Sequence, residues 1–468
     1  MKNNTDRQNI YEKSASSFRD PSGFIFLRDK TIYRQINYTY KENYELLLKS
    51  GLFDELVNSD LLIPHIECTS NFSFNNAYKI IKPKLVSFIS YPYEWCFSQL
   101  KNAALITLKI QEKALNYGMS LKDCSAYNIQ FNKRKAVFID TLSFEKYHEG
   151  QLWTAYRQFC QHFLAPLALM CKTDIRLNQL FRLYIDGLPL DLTSSLLPFR
   201  SYFNFTLLTH IHLHSKSQKK FQRKSLKPKK QKINKLSMLG LLYNLEKAIK
   251  KLTWRFDVTG WANYYDETNY CQEAETDKVQ IVESYLDIIK PQNLWDLGAN
   301  IGKFSRIAKS KGVKSIISFD NDPATVEINF LKGKKSKESR ILPLLCDLTN
   351  PSPGIGWENR ERMSLIERGP TDVVLALALI HHLAISNNLP FDKIAHFLSK
   401  ICNHLVIEFI LKRDSQIQRL LSTREDIFYD YTQPNFVNDF KKYFIIHKKD
   451  KILNSERVLY LMENRKKL

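Results

Sequence analysis

Three carboxylates and two glycines in the C-terminal half have the types and spacing to hold a nucleoside. They are Asp296-x-Gly298-x-Asn300-x-Gly302, then Asp320, 24 positions after Asp296, then Asp347. The two glycines lack Cβ atoms, so a ligand can lie against bare backbone where the turn crosses the strand ends. Asp296 is placed to bond the polar end of such a ligand, and Asp320 to accept from the two ribose hydroxyls. A dinucleotide turn, Gly-x-Gly-x-x-Gly, needs glycine where this chain has Asn300. The pattern predicts a nucleoside pocket without a pyrophosphate cradle. A Rossmann-like turn that holds no ligand is the alternative, disfavoured because the acids fall at successive strand ends.

The elements that must position these residues are legible around them. Leu294–Leu297 reads as a short apolar strand, a helix begins at Gly302, and Ser315–Asp320 reads as a second strand. Asp372–Ala378 and His404–Ile410 are continuous apolar runs, suited to strands buried on both faces of a parallel sheet. A helix is expected near Asp414–Leu421, and Lys442–His447 with Arg457–Met462 reads as a terminal antiparallel hairpin. The predicted class is α/β with a Rossmann-like sheet. His381 and His382 lie just beyond the Asp372 strand and Glu408 lies at the end of the next, where ligands gather in open α/β sheets. These three are the candidate general bases.

From near Lys278 to the C-terminus the sequence resembles class I S-adenosylmethionine-dependent methyltransferases. The resemblance implies that Asp296, Gly298 and Gly302, with Asn300 between them, form the first cofactor motif. It further implies that Asp320 binds ribose and that Asp347 sits where the adenine amine is read. An Asn-Pro-Pro-aromatic motif is missing after the Asp372 strand, and Asn350-Pro351-Ser352-Pro353 follows the preceding strand instead. Methylation of an exocyclic base amine is thereby disfavoured. Trp261–Tyr270, rich in Tyr and Asn, is a candidate acceptor-screening patch or an interdomain packing segment.

A second constellation lies near the N-terminus. A long helix within Tyr93–Gly118 leads to Asp123-x4-Asn128, a hairpin turn at Asn132–Lys135, and Asp140. This order resembles the catalytic and metal-binding loops of protein-kinase-like and aminoglycoside-phosphotransferase-like folds. By that resemblance Asp123 would orient a hydroxyl, while Asn128 and Asp140 would hold magnesium across ATP phosphates. Arg34 would stand for the phosphate-pairing lysine, with Glu42 or Glu45 on the following helix. The match departs from the family pattern: Leu121 and Lys122 replace the usual His and Arg, and no Gly-rich loop is present. The expected N-terminal domain is α+β, kinase-like and degenerate. His162, in an aromatic stripe from Gly150 to Leu167, is expected to be a satisfied core histidine.

A chain of 468 residues with 44% hydrophobic content can bury two or three cores. The expected division is a domain at 1–200, a basic linker at 201–260 and a methyltransferase domain at 261–468. The eight cysteines include no Cys-x-x-Cys pair, which excludes a zinc knuckle or a secreted disulfide framework and predicts reduced thiols in a cytoplasmic setting. No apolar run is long enough to span a bilayer. Of the 20 residues Lys216–Lys235, 10 are Lys or Arg and none is acidic, which suits a solvated linker or an RNA contact. The runs Asp123–Phe144 and Leu379–Leu383 make the whole chain similar to a group of bacterial proteins related to nodulation-type methyltransferases. The expected activity is methyl transfer from S-adenosylmethionine to a small-molecule or glycan hydroxyl. RNA methylation, a scaffold with two relic nucleotide folds, and active phosphotransfer are the alternatives.

Overall fold

The computed structural model describes residues 11–68, 75–215, 233–255, 272–422 and 424–467. The chain divides into two compact units. The first comprises Met1–Tyr93, Gln99–Arg255 and Ile355–Arg362, and the second Glu94–Ser98, Phe256–Gly354 and Met363–Leu468.

The second unit is built on a seven-stranded sheet. Its strands are β10 (Asn293–Leu297), β11 (Ser315–Asp320), β12 (Ile341–Leu345), β13 (Thr371–Ala376), β14 (Cys402–Ile410), β15 (Phe444–Lys451) and β16 (Arg457–Asn464). Their spatial order is β12-β11-β10-β13-β14-β16-β15. The first five run parallel, and β16 is antiparallel to both β14 and β15. This is the class I methyltransferase order, with the terminal hairpin reversed into the edge as its sequence predicts. Both faces of the parallel strands are covered, which is why β13 and β14 are unbroken apolar runs. One core gathers Leu294, Ile316, Ile341, Val373 and Val406 beneath Val282, Tyr285 and Leu286 of the helix Gln272–Ile289. The strand order reverses beside β10, so a crevice opens at the carboxyl ends of β10 and β13.

The first unit has a five-stranded antiparallel sheet in the order β1-β2-β3-β5-β4. These are β1 (Glu12–Lys13), β2 (Gly23–Arg28), β3 (Thr31–Asn37), β4 (His65–Glu67) and β5 (Ala77–Pro83), with the helices Lys41–Lys49 and Leu52–Asn58 between β3 and β4. The helix Phe97–Asn116 follows, then β6 (Met119–Leu121), β7 (Ile129–Asn132), β8 (Lys135–Phe138) and β9 (Phe144–Lys146). β7 pairs with β8 and β6 with β9, so the loops bearing Asp123 and Asp140 are each held between two strands. This element order is the one read from the sequence. His162 is buried and takes a bond from the Ala126 N–H at 3.4 Å, while burial pushes its pKa down to about 4.

The boundary expectation needs correction. Phe205–Leu207, Leu208–Leu213 and Lys235–Lys251 are helices inside the expected 201–260 linker, and they belong to the first unit. Asn234 caps the last of them by accepting from Ser237 N–H at 2.8 Å, and its Met238, Leu242, Leu245 and Ile249 are buried at helical spacing. Lysines on the opposite face disguise that stripe. Most of Lys216–Lys235 and all of Trp261–Tyr270 lie outside the described residues. No described helix is long and apolar enough to cross a membrane.

Behind the crevice, Arg368 makes a two-pronged bond to Glu94, with Nη1–Oε2 at 2.9 Å and Nη2–Oε1 at 2.6 Å. Glu94 also accepts from Ser352 Oγ at 2.5 Å. Both side chains of the pair are almost wholly buried. Together they pin the chain that follows Asp347 and the chain that enters β13. Replacing Arg368 by Met strands a buried carboxylate. The second unit is expected to lose about 3–5 kcal/mol in urea unfolding, and Glu94→Gln in the same chain to recover part of that loss.

Candidate functional site

A cavity of about 570 Å³ occupies the crevice. Asp296, Gly298 and Asn300 come to it from the turn after β10, Asp320 from the end of β11, and Cys346 and Asp347 from the end of β12. Leu377 to Leu379 and His382 form its wall after β13, with Ser386, Asn387 and Leu420 beyond. Glu275 and Lys278 close it from the helix Gln272–Ile289. Of the expected cofactor residues, five line the cavity directly. Gly302 instead starts the next helix behind it, at φ +81°, where a Cβ would meet the Asn329 side chain at 2.6 Å.

The turn explains itself through its backbone. Gly298 and Asn300 both take positive φ, 71° and 51°, which glycine and asparagine tolerate best. The N–H groups of Gly298 and Ala299 both donate to the Phe319 carbonyl at 2.9 Å. Asn300 N–H donates to Asp320 Oδ2 at 2.7 Å, and Ile301 N–H to Asn300 Oδ1 at 2.7 Å. Gly302 N–H donates to the Ala299 carbonyl at 2.9 Å. Five successive amides are therefore spent inside the protein. A phosphate cradle requires such amides to face the ligand, and here they do not.

The charges differ in their surroundings. Asp296 is buried and accepts from Ser305 Oγ at 2.6 Å, and Ser305 in turn meets Ser318 Oγ at 2.6 Å. Burial, opposed by that hydroxyl and aided by the nearby Asp320 charge, pushes the Asp296 carboxyl up to about 6. Burial likewise raises Asp320, against the N–H bonds from Asp322 and Asn300. Asp347 accepts from the Thr349 N–H and hydroxyl at 2.8 and 2.7 Å, which aims it at the end of β12.

The three candidate bases part company. Glu408 has no exposed surface. It holds Lys278 Nζ at 2.6 Å and Arg457 Nη1 at 3.6 Å, and accepts from Ala378 N–H at 2.8 Å. It is a buried member of an ion-pair network and does not line the cavity. His381 is 3% exposed and does not line the cavity, and burial drives its imidazole well below its ordinary pKa. His382 does line the cavity, its ring 4.0 Å from that of His381. Burial brings His382 down to about 4, so its imidazole is neutral near pH 7.

The residues expected to hold a metal in the first unit bond one another and their neighbours. Asp140 Oδ1 lies 2.5 Å from Arg34 Nη1 and accepts from Leu142 N–H at 3.0 Å, while Oδ2 accepts from Ser143 Oγ at 2.5 Å. Asn128 turns its amide toward the same Ser143 hydroxyl at 3.3 Å. Asp123 accepts from Ser125 N–H at 2.9 Å and Gln158 Nε2 at 2.8 Å. The described residues contain no cluster of three metal-ligating acids, histidines or cysteines. The Arg34 guanidinium pairs with Asp140, and Asp123 lies near enough to both Asp140 and Asn128 to feel them. Glu45 bonds Lys49 and the Tyr78 hydroxyl, and Glu42 is exposed, so neither completes a kinase-type pair with Arg34.

Glu275, Lys278, Ser386 and Asn387 escape a motif-based reading. The available signal was the i, i+3 spacing of Glu275 and Lys278 on a helix just upstream of the cofactor turn.

No protein-family model matches the sequence. Among solved structures, the N-methyltransferase NodS from Bradyrhizobium japonicum WM9 aligns over 41% of this chain and 97% of its own, at 13% identity and a TM-score of 0.31. Magnesium protoporphyrin IX methyltransferase from Synechocystis PCC 6803 aligns over 44% of this chain and 92% of its own, at 14% identity and a TM-score of 0.31. The fold assignment rests on the strand order rather than on these superpositions. The nodulation protein NoeA of Rhizobium meliloti (strain 1021) is 34% identical over 459 residues, 96% of this chain and 95% of its own. The chain belongs to the NoeA family of nodulation proteins, and its second unit has the strand order of the class I methyltransferase fold.

Proposed function

We propose that this chain is an S-adenosylmethionine-dependent methyltransferase whose acceptor is a hydroxyl of a small molecule or glycan. One observation carries the reading. The crevice at the switch point of the sheet is lined by five carboxylates and one ammonium, and the amides of its glycine turn are all engaged internally. Such a pocket repels phosphates and suits a nucleoside that carries positive charge. The residues therefore fit S-adenosylmethionine, which when bound supplies a methyl group on an electrophilic sulfonium. Asp320 would hold the ribose hydroxyls, Asp347 the adenine amine and Asp296 the ammonium. Methyl transfer is an in-line displacement, so the protein mainly aligns the acceptor and excludes water. His382, neutral and on the wall beside Ser386 and Asn387, is the group placed to take a hydroxyl proton. RNA as acceptor rests only on the charge of Lys216–Lys235.

Calorimetric titration of S-adenosylmethionine and S-adenosylhomocysteine tests the cofactor. Binding at a micromolar Kd, about −8 kcal/mol, is expected for the intact protein and is expected to be lost in Asp320→Ala. Absence of binding to the intact protein removes the methyltransferase reading. His382→Ala is expected to lower kcat about 100-fold while leaving the cofactor Kd unchanged, once a hydroxyl acceptor is in hand.

The raised pKa of Asp296 sets a pH dependence. A cation beside this acid favours its charged form, so binding lowers its pKa from about 6 and releases a proton. Cofactor affinity should therefore be constant above pH 7 and fall as pH drops through about 6, by up to tenfold per unit. Calorimetry in buffers of different ionisation enthalpy counts the released proton. Asp296→Asn is expected to bind weakly and to abolish both the pH slope and the proton release.

A further inference from the structure

We infer that the turn Phe199–Phe203, with Phe205 and the outer face of the helix Lys235–Lys251, is a docking surface for an anionic lipid bilayer. All of these residues belong to the first unit.

Apolar side chains that gather in water mark a surface that something else covers. Phe199, Phe203 and Phe205 are 75%, 80% and 72% exposed, and the rings of Phe199 and Phe203 meet edge to face with centres 5.7 Å apart. The backbone beneath them is anchored from within. Tyr202 turns inward and stacks on His212 at 3.8 Å, and His212 is held between Ser194 Oγ at 2.7 Å and Ser201 Oγ at 2.8 Å. Asn204 then caps the next helical turn by accepting from Leu207 N–H at 3.1 Å. The three rings are thus held outward by a fixed base.

The helix Lys235–Lys251 extends the patch. Its Asn244 accepts from Thr206 Oγ1 at 3.4 Å and meets His210 Nε2 at 3.2 Å, which sets Tyr243 one position from the contact with the Phe205 turn. Leu236, Gly240, Tyr243 and Lys247 recur at helical spacing and are all exposed, and the exposed Lys250 and Lys251 prolong that face. Arg200 stands exposed between Phe199 and Phe203 in the turn. From Pro198 to Lys251 the sequence holds 14 Lys or Arg and one acid, Glu246, which is paired with Lys250 at 2.7 Å. The stretch Lys216–Lys232 has Phe221 and Leu226 as its large apolar residues, a composition that suits charge rather than apolar cover.

A bilayer answers both halves of this surface. Anionic headgroups take the lysines, and the acyl boundary takes phenylalanine and leucine, which have no polar atom to leave in water. A second copy of so basic a face repels the first. RNA would take the charge, but it stacks bases on open ring faces, and the edge-to-face pairing of Phe199 with Phe203 takes one such face away.

Sedimentation of the whole chain with vesicles of phosphatidylcholine containing about 30% phosphatidylserine tests the assignment. Binding is expected, about tenfold or more tighter than to pure phosphatidylcholine, and weakened by added salt. The triple variant Phe199→Ser, Phe203→Ser, Phe205→Ser is expected to bind about tenfold or more weakly with its Tm unchanged, because the lost rings are not part of the core. Lys247→Glu with Lys251→Glu is expected to weaken binding by about threefold or more. Phe203→Trp reports insertion without removing the patch: its fluorescence is expected to be quenched by vesicles with brominated acyl chains beyond the quenching of the parent protein. Failure to sediment with anionic vesicles, equal binding by the triple variant, or a Phe203→Trp signal quenched no more than the parent's each overturns the assignment. Self-association, or binding of a single-stranded RNA oligonucleotide, that is lost in the triple variant while anionic vesicles leave the protein in solution gives the surface to that partner instead and likewise overturns it.

Discussion

Glu408 has no exposed surface, and a carboxylate in that place must be met by charge brought from elsewhere in the chain. Lys278 arrives from the helix Gln272–Ile289, Arg457 from the start of β16, and the Ala378 amide from the turn after β13. Arg457 is held in turn by Asp414 at 2.9 Å, and Asp414 caps the helix Ser415–Leu421 by accepting from Gln416 N–H. One buried charge thus gathers four elements at the carboxyl end of the sheet. Three of them contribute to the same cavity: Lys278 itself, Ala378, and Leu420 near the end of the capped helix. Such a chain of alternating charges adds little net stability over an apolar core, but it allows only one register between hairpin, strand and helix. Geometry at the pocket depends on that register.

The same economy of charge governs ligand choice. Asp296 and Asp320 are costly to ionise where they stand, as their raised pKa values record. Hydroxyl and amide donors inside the fold lower that cost without removing it, so the pocket retains an unmet demand for a cation. A phosphorylated nucleotide would worsen the imbalance, and a sulfonium nucleoside corrects it. The missing third glycine and the internally bonded turn tell the same story from the backbone. Lining charge and turn conformation both work against a phosphorylated ligand.

In the first unit charge is likewise met inside the fold. The long helix and the paired hairpins bring the loops of Asp123, Asn128 and Asp140 together, and Asp140 is bound to the Arg34 guanidinium. The hydrophobic pattern that builds strands is indifferent to what the loops between them carry. Asp123, bonded to Gln158 and Ser125, and Asp140, bonded to Arg34, hold those loops in place.

Legibility followed the range of the interaction. Gly298, Asn300, Gly302 and Asp320 were readable because a turn between a strand and a helix is a local object: the backbone demands those residue types at those spacings whatever lies elsewhere. The strands β13 and β14 were readable because burial on both faces leaves a continuous apolar run. The partners of Glu408 were not legible, because its position at a strand end is local whereas they lie on the helix upstream of β10 and on β16; Lys278 is 130 residues away. The same holds for Asp140, since Arg34 reaches it from a distant strand. The segment after Ser215 hid a helix behind its lysines, because charge content marks solvent exposure without saying whether the other face is apolar. A motif therefore predicts where a carboxylate will stand, and only the fold decides whether its charge is left for a ligand or spent on the protein. In this chain Asp296 and Asp320 line the cavity, while Glu408 and Asp140 are each paired with a cation of the protein.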